Sequence, residues 1–133
     1  MSGADEIDAI IARVRAIPGL ARRAAPDAAR AVERVLGEQL ERGESPTGET
    51  WAPRRADGGR ALEDARKALA VAPIGTRLFA RLTGPVARHD LGRARGGVVR
   101  KMLPASGPIP AALAKAIRDV LTTHFERATK GGR

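Results

Sequence analysis

The chain has 133 residues and carries 24 Lys plus Arg against 15 Asp plus Glu, a formal net charge of +9; that length suits one domain and is too short for two that each bury a core. Cysteine is absent, which excludes a disulfide framework, thiol catalysis and any Cys-ligated metal site. Only Trp51, Phe79 and Phe125 are aromatic, too few rings to stack successive bases as single-strand binders do, so Ala, Leu, Val and Ile must build the core.

The opening Met-Ser-Gly-Ala-Asp-Glu is acidic, unlike a signal peptide, and no stretch approaches the ~20 consecutive apolar residues of a membrane span. The expectation is a soluble intracellular protein that does not meet a membrane. Ile7, Ile10, Ile11, Val14 and Ile17 recur at three- and four-residue spacing, which predicts a first helix, ended by Pro18-Gly19. A second helix is expected from near Pro26 to about Arg42, burying Ala28, Val32, Val35, Leu36 and Leu40, with Gly43 as its stop. Gly37 lies inside it, at a cost of up to ~1 kcal/mol relative to Ala that is more readily accepted where backbones approach closely.

From 43 to 59 the run GESPTGETWAPRRADGG has no apolar period and reads as an exposed loop of unusual length. Residues 61–71 fit a short helix that passes into a strand. Thr76 to Leu82 alternates Thr76, Leu78, Ala80 and Leu82 against Arg77, Phe79 and Arg81, the period of a strand, closed by Gly84-Pro85. Residues 86–96 are polar, with room for one helical turn. Gly97 to Leu103 reads as a third strand, and Pro104 ends it. The last helix starts near Pro110 and carries Leu113, Ile117, Val120, Leu121, His124 and Ala128 on one stripe, with Phe125 beside it.

The expected architecture is a single α+β domain. N-terminal helices (1–42) and a C-terminal amphipathic helix (104–128) pack on a small, mainly antiparallel sheet. The long loop spans 43–60, the short helix and strands span 61–103, and 129–133 form a tail. Three short strands leave sheet edges that a neighbouring subunit would cover.

No catalytic signature is visible, so an enzyme is not expected. His89 and His124 lie in no metal-ligand spacing, His124 falling on an apolar stripe and His89 in a polar segment. The pairs Asp5/Glu6, Glu38/Glu41 and Glu63/Asp64 read as solvated helix faces, and Gly58-Gly59 and Gly96-Gly97 as turns. No metal or cofactor is expected. Charge is concentrated in the middle: residues 1–50 are net −2, 51–109 net +8 and 110–133 net +3. Arg54, Arg55 and Arg60, then Arg88, Arg93, Arg95, Arg100 and Lys101, either track an anionic surface such as a phosphate backbone or reflect an Arg- and Ala-rich composition. Trp51, alone among Gly, Pro, Thr and Glu, either pins its loop to the domain, the favoured reading, or anchors in a partner's pocket.

The stretch Gly43-Glu44-Ser45-Pro46-Thr47-Gly48-Glu49-Thr50-Trp51-Ala52-Pro53 resembles the G-x-x-P-x-G-x-x-W-x-P segment of the virion-morphogenesis, or tail-completion, family of Mu-like phages. His89-Asp90-Leu91-Gly92 is similar to that family's H-x-x-G, and the layout agrees over roughly residues 25–128. Val86-Ala87-Arg88 stands where the family often has an aromatic-Ala pair. The resemblance implies a structural virion protein of the phage neck, similar to tail terminators, made in the host cytoplasm. Such a protein forms a ring of its own copies, commonly a hexamer, between the tail tube protein and the head–tail connector protein. On that reading Trp51, Pro53, Arg54, Arg55, Arg60, Arg88, His89, Gly92, Arg93, Arg95, Arg100 and Lys101 are the candidate contacts to neighbouring rings or to double-stranded DNA in the lumen. Another connector component, a stopper or adaptor, and a small sequence-nonspecific duplex-binding protein are the alternatives.

Overall fold

The spacing of Ile7 and Ile10 winds the first segment into helix α1 (Gly3–Arg15), both side chains turned inward. The computed structural model describes residues 3–51, 65–84, 87–90, 100–104 and 107–130. Helix α2 (Leu20–Arg42) starts ahead of the expected Pro26 and keeps that proline within it. Leu20 and Ala24 are nearly inaccessible and pack with Ile10 and Leu121, and this burial outweighs the one helical hydrogen bond that Pro26 removes. Gly43, left-handed at φ 71°, closes α2 as expected, its N–H turning back onto the last-turn carbonyls.

The 61–71 segment resolves as helix α3 (Ala65–Ala68) leading directly into strand β1 (Leu69–Ile74), with 61–64 outside the described residues. β1 turns through Gly75, at φ 64°, into strand β2 (Arg77–Leu82), and the two pair antiparallel from Leu69↔Leu82 to Ile74↔Arg77. Directly paired residues share a face. Val71, Leu78, Ala80 and Leu82 therefore turn toward the helices, while Ala70, Ala72, Ile74, Arg77, Phe79 and Arg81 form the outer face. The expected turn in the polar 86–96 segment is helix α4 (Ala87–Asp90), and α5 (Ala111–Lys130) is the C-terminal helix.

This is an α+β fold in which the sheet differs from expectation. Two strands are present among the described residues; of the third expected strand, 100–103 are not strand and 97–99 lie outside those residues. The other correction concerns the long exposed loop. Its first part, Gly43–Trp51, is folded tightly against α2, with Gly43, Ser45, Pro46 and Trp51 buried. Side-chain and turn hydrogen bonds rather than apolar period order it, which is why it reads as loop from the sequence. Residues 52–60 lie outside the described residues. Among the described residues no helix is long and apolar enough to cross a membrane.

Two apolar clusters hold the layers together. Val32, Leu36, Leu40, Trp51, Ala65, Leu69, Met102 and Leu113 join α2, the hairpin and α5, while Ile10, Leu20, Ala24 and Leu121 join α1, α2 and α5. Ile117 touches both, so α2 and α5 act as a common spine.

His124 has a polar role in this spine. Its Nε2 lies 2.7 Å from Asp27 Oδ2 of α2, and Asp27 also pairs with Arg30. An ionised carboxylate only accepts, so Nε2 carries the proton. Burial, then the charges of Arg127 and Arg23, hold the imidazole below its ordinary pKa of 6.5, against the pull of Asp27.

Gly37 is explained by a side chain rather than by a crossing backbone. A Cβ there would stand 2.6 Å from Arg66 Nε, because the Arg66 guanidinium lies over the glycine to reach Glu41 at 2.8 Å. Arg66 and Glu41 are both about half exposed, and the pair is worth little, roughly 0–1 kcal/mol. Gly37→Ala gains about 1 kcal/mol of helix propensity and displaces only this flexible side chain, so urea unfolding should show unchanged or higher stability.

Because the fold holds His124 below its ordinary pKa, protons bind the unfolded chain more readily. Stability should be full above about pH 6.5 and fall as the pH drops below it. His124→Gln, which keeps a donor toward Asp27, should reduce the stability difference between pH 7 and pH 5 measured by urea titration.

Candidate functional site

The segments that sequence reading singled out converge on residues 101–103. Met102 is fully buried, yet it stands outside any strand, so its backbone needs partners from elsewhere. Asp90, at the end of α4, supplies them: its Oδ1 accepts the N–H of Met102 at 2.8 Å and the N–H of Leu103 at 3.0 Å. The Lys101 ammonium donates to the Asp90 carbonyl at 3.1 Å and stands 3.9 Å from Asp90 Oδ2. From a segment much earlier in the chain, the Trp51 indole N–H donates to the Lys101 carbonyl at 2.9 Å. Three consecutive residues are thus held by two side chains that arrive from segments far apart in the chain.

Trp51 is itself placed by the fold-back of Gly43–Trp51. Its N–H donates to the Gly43 carbonyl at 2.8 Å, and Glu44 bridges Thr50 in antiparallel fashion. Inside the loop the Ser45 N–H donates to the Glu49 carbonyl at 2.8 Å, the Glu49 N–H returns to Ser45 Oγ at 3.1 Å, and Ser45 Oγ also meets Thr47 Oγ1 at 3.0 Å. Gln39 of α2 donates its amide to the Pro46 carbonyl at 3.1 Å, tying the loop to the helix. These bonds give the Gly, Ser, Pro, Thr and Gly of the motif a joint purpose: they turn the chain so that the indole enters the core.

The expected contact residues separate into distinct groups. Trp51 is buried at 8% exposure and pins its loop, as the favoured reading has it. Arg100 is buried at 6% and is therefore not part of the exposed surface. Lys101 is half exposed and engaged with Asp90. Arg88 and His89 lie on α4, with their side chains outside what is described; Pro53, Arg54, Arg55, Arg60, Gly92, Arg93 and Arg95 lie outside the described residues. Asp90, Ser45 and Gln39 escaped the reading of candidate residues. Their roles are hydrogen bonds to backbone, which leave no periodicity and no charge cluster.

Between α1, α2, the inner hairpin face and α5 lies a cleft of about 530 Å³, lined by Ile7, Val32, Leu78, Pro108 and Leu113 among others, with Arg15 the one charged lining residue among the described residues. Its lining suits apolar packing. Among the described residues no group of three His, Asp or Glu side chains is placed to hold a metal ion. No family model, curated protein or solved structure matches the chain.

Asp90→Ala strands the N–H groups of Met102 and Leu103 and should cost about 2–4 kcal/mol in denaturant unfolding. Asp90→Asn keeps an accepting oxygen and should cost less, and Trp51→Phe, which loses the bond to Lys101, about 1–2 kcal/mol.

Proposed function

We propose that this chain is a structural protein of a phage neck or phage-derived particle, completing the tail by capping its tube and joining it to the head. The observation that supports the reading is the junction at residues 101–103. The two stretches that resemble the tail-completion family, Gly43–Pro53 and His89–Gly92, are distant in sequence, and both place a side chain, Trp51 or Asp90, on that one segment. Independent chance matches carry no expectation of a shared contact.

In this role the chain makes and breaks no bond. It works as a ring of identical copies, a hexamer by the resemblance, between the tail tube protein and the connector. The buried junction fastens the framework, and the arginines of 54–60 and 88–95 supply the positive charge that acidic protein rings or the DNA passing through the lumen would answer. The net +8 of residues 51–109 also favours a second reading, a small duplex-binding protein held by phosphate contacts.

Purified protein mixed with tail tubes and imaged by electron microscopy separates the two. Annular density at one tube end, with particles of the missing gene unable to join heads to tails, is the expected result. Absence from tube ends, together with salt-sensitive binding to free duplex DNA, would replace the neck reading with the second one.

A further inference from the structure

The hairpin has two faces, and the core uses only one. On the outer face Ile74 is 63% and Phe79 48% exposed, two of the three exposed large hydrophobics among the described residues, and the register places Arg77 and Arg81 on the same face as both. Neither arginine forms a hydrogen bond or ion pair among the described residues, and both are exposed. A surface with an apolar centre and two unengaged guanidinium groups matches a partner that offers small apolar residues beside a carboxylate.

The same chain carries such a surface. Along α1, Asp5, Asp8, Ala9 and Ala12 follow one stripe at three- and four-residue spacing, all exposed, on the side away from buried Ile7 and Ile10. Asp8 has no ion pair or hydrogen bond among the described residues. The spacings agree as well. Phe79 stands about 7 Å along its strand from each arginine, and Ala12 stands about 6 Å along α1 from Asp8. A ring resting on Ala9 and Ala12 thus leaves a guanidinium within reach of Asp8.

We infer that the outer hairpin face of one copy docks on the acidic, alanine-faced side of α1 of the next copy. The choice of a second copy as occupant rests on the ring reading above. The contact joins two different patches, so every subunit offers one of each. Association is therefore head to tail, the geometry that closes into a ring when the rotation allows. It also opposes the acidic N-terminal segment of one chain to the basic middle of another, which offsets the mutual repulsion of chains that each carry +9.

Sedimentation of the full chain at low salt tests this, with circular dichroism to check that each variant folds. Wild-type protein should self-associate, and Phe79→Ser, at an exposed position, should weaken association at least tenfold. Asp8→Arg alone and the double change Arg77→Asp with Arg81→Asp should each be monomeric. Their equal mixture should associate again with alternating subunits, since each then meets its opposite charge. A mixture that stays monomeric, or a Phe79→Ser protein that associates like wild type, would overturn the interface. Tail completion separates the two proposals. If monomeric Phe79→Ser still completes tails, this interface falls and the neck role stands. If the association behaves as described but the protein ignores tube ends, the neck role falls and the interface stands.

Discussion

Met102 has no exposed surface, and its backbone runs outside any described strand. Burying a peptide group without a partner costs on the order of 1–3 kcal/mol, so such a segment survives only where side chains replace the missing ladder. Asp90 and Trp51 do so together, one accepting two N–H groups and the other donating to a carbonyl. Much else depends on this fastening. Met102 closes the cluster shared by α2, the hairpin and α5, and Trp51 can enter that cluster only because Gly43–Trp51 folds back upon itself. Loss of the junction would remove an apolar plug and a side-chain latch together.

The spine of α2 and α5 shows how a chain with so few large side chains builds a core. Much of its helical burial is alanine: Ala24, Ala25, Ala28, Ala29 and Ala31 on α2, Ala114 and Ala116 on α5. Small residues let helices approach closely but contribute little area each, and the stabilisation per residue is correspondingly modest. Asp27 and His124 add one directional contact to this smooth interface. A hydrogen bond of that kind fixes the relative translation of two helices, which alanine packing alone leaves loosely defined.

The helices, the β2 strand and the helix-to-strand passage before β1 were legible because burial there imposes a period: 3.6 for Ile7 and Ile10 or Leu36 and Leu40, and 2 for Leu78, Ala80 and Leu82. The start of α2 was not, since Pro26 is a local signal and the burial of Leu20 and Ala24 is a tertiary one. The junction was legible only in halves. Trp51 stood out by its isolation, whereas Asp90 acts through a single oxygen on backbone groups twelve and thirteen residues away. Backbone groups carry no residue identity, so sequence pattern holds no record of which of them an aspartate will reach. For the same reason Arg100, read from its charge as a surface residue, could not be distinguished from an arginine that the fold encloses.

The exposure of Phe79 follows from its neighbours rather than from its own preference. A strand that alternates Arg77, Phe79 and Arg81 with Leu78, Ala80 and Leu82 has two ways to face a core, and a shift of one residue exchanges them. The exchanged arrangement would bury Phe79 but would carry two guanidinium groups inward, at several kcal/mol each without partners. Keeping Phe79 outside forgoes about 1.5–3 kcal/mol of burial, the smaller cost. The arginines therefore set the register of the hairpin and, with it, send one of the chain's three aromatic rings to the surface. A surface sorted in this way cannot present its ring apart from its charges, so whatever covers Phe79 must also answer Arg77 and Arg81.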